Sequence, residues 1–219
     1  WQKMSKSLGN VVAPRELVET YGLEQTRYFL LREVPFGNDG DFSRRAMVHR
    51  INGDLANDYG NLVQRVLSMI QKNCGAAVPE PGPFTESDQR LLGAAQALLE
   101  TCRREIEVQA FHRMLEAIWA VIGDANRYVD EQAPWALRKT DPARMNTVLY
   151  VLAETIRHLA LLTQPVMPQA SARILDLLGV PADARSFAAL RPGHALKPGT
   201  PLPPPQGVFP RHVEAEGTS

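Results

Sequence analysis

Two lysines and two serines stand within five residues in Lys3-Met4-Ser5-Lys6-Ser7, with Gly9 and Asn10 just beyond. Ammonium and hydroxyl groups on a glycine-containing loop are donors for phosphate oxygens, and a positioned cation is what phosphoryl chemistry chiefly asks of a protein. The bland alternative is a solvated basic loop. A second polar set, Asn57, Asn61 and Arg65, recurs at a spacing of four, which on a helix gives one face. Asparagine is a poor helix former, so its repetition suggests a purpose other than stability, against the alternative of a plain solvated face. The third stretch is Asn126-Arg127-Tyr128-Val129-Asp130-Glu131-Gln132-Ala133-Pro134-Trp135. Pro134 disfavours α geometry at Ala133, so Trp135 emerges beyond a helix end. Two fates are open to that ring: it can plug the top of a bundle, or offer a flat face to a ligand. Asn126 and Arg127, about two turns upstream, carry polar groups that could read a base edge near it.

The elements that must position these groups are helical. Pro14 opens a short helix stopped by Gly22, and residues 23–34 place Leu23, Tyr28 and Leu31 on an apolar face. Pro35, Gly37 and Gly40 make residues 34–42 a connector, with a module boundary near Asp41 to Ser43. Ser43 is the expected N-cap of a long helix to about Asn73, ended by Gly75, whose buried stripe is Ile51, Leu55, Tyr59, Leu62, Val66 and Met69. After a loop rich in proline and glycine, Thr85 and Asp88 form a capping box for a helix over residues 86–108. The next helix begins near Gln109 after a slight break, buries Phe111, Leu115, Ile118, Trp119 and Ile122, and ends near Glu131 or Gln132. Asp141-Pro142 opens a helix through about Thr163, and residues 169–178 form a last one before Gly179. The proline-rich remainder is expected to lie extended along another surface or to be unstructured. The fold class is therefore all-α: a leading module over residues 1–42, a helical bundle over 43–180, and a tail over 181–219.

Composition narrows the function classes. The 219 residues hold 24 Lys+Arg against 24 Asp+Glu, a balance that neither supports nor excludes an RNA partner. Cys74 and Cys102 lack CxxC spacing and a histidine cluster, so reduced thiols are expected rather than a disulfide scaffold or a structural zinc site, and no metal site is expected. His112 and His158 are lone histidines on helices and read as structural or solvated. No apolar run is long enough for a membrane span, and a soluble, cytoplasmic protein is expected. The chain opens at Trp1 rather than methionine, which suggests a fragment of a longer polypeptide.

KMSKSLGNVV, then RYFLLREVPFGNDGDFS, then NRYVDEQAPWALRK and QPVMPQAS together resemble the C-terminal part of the bacterial methionyl-tRNA synthetase family. The likeness covers nearly all of residues 2–178 and weakens over residues 76–110 and in the tail. KMSKS alone marks the class I aminoacyl-tRNA synthetases, whereas NRYVDEQAPW points to the methionine enzymes. The resemblance implies that Lys3 and Lys6 meet ATP phosphates and that Lys6 stabilises their charge during adenylate formation. It implies that Trp135, after Pro134, stacks on the first anticodon base, while Asn61 and Arg65 help recognise CAU, with Asn126 and Arg127 close by. It therefore favours an exposed Trp135. The parent would charge tRNA(Met) from ATP, with Mg2+, and L-methionine through methionyl adenylate. The ATP-binding HIGH motif, the methionine pocket and any zinc-bearing insertion are absent, so this chain alone is expected to be inactive. The parent is expected to be a monomer, and the KMSKS loop to be disordered or non-productive without its catalytic partner. The alternatives are another class I synthetase and a stand-alone helical RNA-binding or protein-interaction module.

Overall fold

The computed structural model describes residues 3–35 and 42–213. Among them the helices are α1 (Pro14–Tyr21), α2 (Leu23–Glu33), α3 (Arg44–Arg50), α4 (Asn61–Asn73), α5 (Glu86–Glu107), α6 (Phe111–Gln132), α7 (Pro134–Thr140), α8 (Pro142–Thr163) and α9 (Pro168–Leu177). Most of the expected connector, residues 36–41, lies outside the described residues. No β-strand occurs among the described residues beyond an isolated bridge between Ala77 and Pro201, and the architecture is an all-α bundle.

Local signals set most helix starts. The Ser43 hydroxyl accepts from Ala46 N, Thr85 and Asp88 form the reciprocal capping box, and Asp141 caps α8 through Arg144 N. Each oxygen satisfies an N–H that the first turn leaves free, worth about 1 kcal/mol. The long helix through α3 and α4 is continuous, but Ile51–Gly60 between them winds as a wider π-type segment. Its inner face follows the expected stripe through Ile51, Leu55, Tyr59, Leu62 and Val66, all buried, while Met69 at its end is only half-buried.

At the centre lies α8. A helix that is apolar all round can only be interior, and every residue from Thr147 to Thr163 is buried. Helices α4, α5, α6, α7 and α9 pack around it. Helices α5 and α6 form an antiparallel hairpin, with Tyr128 near the end of one reaching Asp88 near the start of the other. The break between them is thus a full reversal rather than a slight one. Gln109 makes the turn at φ 57°, a left-handed conformation unmarked by glycine, so nothing local announces it.

A smaller core of Leu17, Tyr21, Phe29, Met47 and Ile51 holds the leading helices together. Helix α2 docks them on the bundle by serving two helix ends. Arg27 donates to the carbonyls of Val166 and Pro165 (2.8 and 2.7 Å), and the Glu24 carboxylate accepts from the N–H groups of Gln169 and Ala170 (2.7 Å each).

Of the two paths open to the tail, the extended one is taken. Gly199 N donates to Val78 O (2.8 Å), Val78 N to Thr200 O (2.9 Å) and Leu202 N to Ala76 O (2.8 Å). Leu196, Leu202, Val208 and Phe209 are buried, each contributing roughly 1.5–3 kcal/mol of hydrophobic stabilisation. Phe209 lies against Tyr59 with centroids 5.3 Å apart, and Gly60 permits this, since a Cβ there would sit 3.3 Å from the Phe209 Cβ. Beyond it, Asn52 and His212 exchange two hydrogen bonds (3.0 and 2.8 Å), and the His212 ring packs on Tyr21. The tail thereby ties the bundle to the leading helices.

Candidate nucleic-acid interface

The turn into Trp135 is built by Ala133 and Pro134. Pro134 cannot continue α6, and Ala133 reverses the chain in the left-handed region at φ 45°, ψ 59°. Its carbonyl then accepts from Ala136 and Leu137, starting the seven-residue α7 with Pro134 buried at its first position. Trp135 sits one residue into that helix with 50% of its surface exposed, so its ring is not a plug. The Arg65 guanidinium lies over the ring, 5.7 Å from its centroid. That arginine is held from the other side by Asp130, Nη2 to Oδ1 3.0 Å. Three helices therefore converge on one cation and one indole: α4 with Arg65, α6 with Asp130, α7 with Trp135.

Asn61, one turn before Arg65 on α4, is exposed on the same face. Asn57 does not extend this row freely, because its side-chain oxygen accepts from Arg211 of the tail. Asn126 donates to the Asp58 carbonyl (3.0 Å), tying α6 to the π segment, and shares a face with Asp130 four positions on. Arg127 is on a different flank. It pairs with Asp124 and lines a groove of about 260 Å³ between α5 and α6, together with Ser87, Arg90 and Glu131. Neighbouring helix residues diverge by about 100°, so Asn126 and Arg127 point to different partners, and no contact joins Arg127 to Trp135 among the described residues. The partner missed in the sequence is Asp130, within the stretch but four residues from Asn126, a spacing that would have placed it.

Below this surface lies a polar clasp. Asp88 is fully buried and accepts from Arg144 Nη1 (2.6 Å) and Nη2 (2.8 Å), from Tyr128 OH (2.6 Å) and from Thr85 N (3.0 Å). Burial pushes its carboxyl up, but the bonds from Arg144, Tyr128 and Thr85 outweigh that and hold it below the ordinary carboxylate range. Burial, then Asp88, push the Tyr128 hydroxyl up, so it stays a neutral donor.

The lysine-rich loop is a compact turn. Ser5 caps a 3-10 turn over Lys6–Leu8, and Asn10 closes the loop by accepting from Ser5 N (2.7 Å) and donating to Lys3 O (3.1 Å). The backbone bonds thus hold both lysines outward: Lys3 and Lys6 are exposed and in no ion pair among the described residues. Donors aimed at solvent from a stapled turn suit a phosphate group brought to them. No cluster of three or more His, Cys, Asp or Glu suited to a metal occurs among the described residues, and no described helix is long and apolar enough to cross a membrane.

Residues 1–67 match the family of class I (M) tRNA synthetases, and residues 78–218, which include α5 to α9 and Trp135, match the anticodon-binding domain of methionyl-tRNA ligase. The methionine–tRNA ligase of Brucella suis biovar 1 is 59% identical over 215 residues, 98% of this chain and 42% of the relative. That of Mycobacterium tuberculosis strain H37Rv is 56% identical over 96% of this chain and 41% of the relative. The structure of the Mycobacterium tuberculosis methionyl-tRNA synthetase in complex with methionyl-adenylate superposes with a TM-score of 0.92 at 56% identity, covering 95% of this chain and 41% of that one. Its apo form gives 0.91 at 54% identity over 94% and 42%. The chain thus spans about two fifths of the length of these relatives. By its fold, its matched domains and its identity to these enzymes, the chain belongs to the methionyl-tRNA synthetase family and carries its anticodon-binding region.

Proposed function

We propose that this chain is the tRNA-reading part of a methionine–tRNA ligase that converts L-methionine and ATP, with Mg2+, to methionyl adenylate and then charges tRNA(Met) in the cytoplasm. Residues 1–42 serve the catalytic side and 43–180 the anticodon side, and within the tail over 181–219 the stretch from Leu196 to His212 joins the two. The observation that carries the reading is the half-exposed Trp135 ring beside Arg65, within the region matched to an anticodon-binding domain. Sequence-specific RNA recognition uses unstacked loop bases, held by aromatic stacking and selected on their edges. Trp135 holds the first anticodon base, and stacking is worth about 1–3 kcal/mol while tolerating any base. Selection falls to Asn61 and Arg65. Cytosine presents an amino donor beside ring-nitrogen and carbonyl acceptors; an amide can meet both kinds, a guanidinium the acceptors only. Asp130 limits Arg65 to one orientation, which lowers the entropy lost on binding.

Lys6 acts at the other end of the reaction. As adenylate forms, its ammonium balances charge on the phosphates leaving as pyrophosphate, and Lys3 adds to the field that draws ATP in. The test is binding of the full-length ligase to anticodon stem-loops. Affinity for the CAU loop should fall at least about tenfold when the anticodon is replaced, the value of about 1.4 kcal/mol of edge recognition. Equal binding of all loops would refute the reading and favour a non-specific RNA module.

A further inference from the structure

We infer that Gln132 and Arg144 are positioning residues for the anticodon platform: the Arg144 guanidinium, anchored on buried Asp88, grips the end of α6 through Gln132 and so sets where Trp135 stands. This rests on the anticodon reading of Trp135. The need for such a grip follows from the local structure. Ala133 adopts a left-handed conformation that costs an alanine free energy, and such a conformation persists only when its surroundings over-determine it. Helix α7 has seven residues, too few to be stable by itself. Trp135 itself is half in solvent and contributes little packing to hold its own place. Something outside the turn must fix it.

Part of the hold is the packing of α7 on α8, and the rest comes from one guanidinium at the start of α8 that touches two other helix ends. Arg144, in the first turn of α8, places Nη1 and Nη2 on the two Asp88 oxygens, and the same Nη2 donates to Gln132 Oε1 at 2.8 Å. Gln132 is the last residue of α6, directly before Ala133. Its amide nitrogen reaches Ser87 Oγ at 3.5 Å, so it is bracketed by the start of α5 on one side and of α8 on the other. Arg144 cannot drift, because Asp88 is fully buried and fixed by Tyr128 and Thr85 as well. The cation also lies beside the C-terminal end of α6, where the helix dipole favours positive charge. A planar fork can bridge Asp88 and Gln132 together, whereas a lysine ammonium is a point donor.

Gln132 is the member that separates positioning from folding, since it is half-exposed and lies outside the Asp88–Arg144 ion pair. In the full-length ligase, Gln132→Ala should weaken binding of a CAU anticodon stem-loop about tenfold, the factor carried by one hydrogen bond to a charged group. It should raise KM for tRNA alike, and leave ATP–pyrophosphate exchange unchanged. Gln132→Glu, which still accepts from Arg144, should restore binding. Trp135→Ala is measured beside them. If Trp135→Ala binds the stem-loop as the parent does, the anticodon reading fails. If it weakens binding and Gln132→Ala does not, the positioning inference alone fails. Failure of Gln132→Glu to restore binding, or a matching slowing of ATP–pyrophosphate exchange, overturns it too.

Discussion

Replacing Glu24 with alanine would remove a helix cap supplied from another helix. The carboxylate on α2 accepts from the N–H groups of Gln169 and Ala170, the latter 146 positions away, at 2.7 Å each. The two N–H groups do not lose equally. Gln169 is exposed, so water replaces the carboxylate there; Ala170 is buried, so its N–H is left without a partner. An orphaned buried donor costs about 1–3 kcal/mol, and the lost charge at the start of α9 adds about 0.3–1 kcal/mol. Glu24→Ala should therefore lose about 1–4 kcal/mol of stability, with Glu24→Gln, which keeps an acceptor but not the charge, losing less than half of that. Arg27, three residues further along, still binds the Val166 and Pro165 carbonyls, so the leading helices should loosen rather than detach. Urea unfolding at pH 7, followed by circular dichroism and by limited proteolysis of the leading helices, reads both effects. An alanine variant within about 0.5 kcal/mol of the parent, the range of an ordinary surface change, would refute the assignment of Glu24 as the cap that docks this module.

Three further outcomes are expected. Trp135→Ala in the full-length ligase should weaken CAU stem-loop binding by about 5- to 150-fold, from about 1–3 kcal/mol of stacking, while Trp135→Phe keeps most of it; equal loss in both would mean that the ring's stacking face is not what matters. Lys6→Ala should slow ATP–pyrophosphate exchange about a hundredfold, the usual effect of removing one charge-stabilising group, with stem-loop binding retained; abolished stem-loop binding would undo the division of labour between loop and bundle. Asp88 is held below its ordinary value, so its stabilisation is complete above about pH 4 and is lost as pH falls through the lower folded value. Asp88→Asn should therefore cost about 3–5 kcal/mol at pH 7, by leaving Arg144 unpaired, and should lose less than the parent on acidification to about pH 3. Glu154, also lowered where burial is overcome by His158 and Arg157, keeps part of the acid sensitivity in both proteins. Parallel unfolding midpoints over that range would show that Asp88 carries no such linkage.

The sequence by itself determined what depends on neighbours a few residues apart. Ser43, the Thr85–Asp88 box, Asp141-Pro142 and Pro14 start helices where their side chains or missing N–H groups act on the adjoining turn, and these starts are legible for that reason. The stop before Pro134 and the stripe from Ile51 to Val66 are legible on the same ground, as are the motif strings that carry the family likeness. Only the tertiary structure decided the rest, because those contacts join residues with no periodic relation. The chemistry of Trp135 alone allowed either plug or platform; its exposure depends on α6, α7 and α4 converging, with Arg65 lying over the ring and paired with Asp130. The reversal at Gln109 rests on α5 and α6 packing together, which holds a left-handed glutamine that no local signal marks. Glu154 and Arg157 are buried on α8 although charged, because they pair with each other and the tail brings Leu196 N to the one and Ala189 O to the other. The tail's own path was undetermined for the same reason: proline excludes a helix but selects no surface, and Gly60 with Tyr59, some 150 residues earlier, supplies the surface that Phe209 fits.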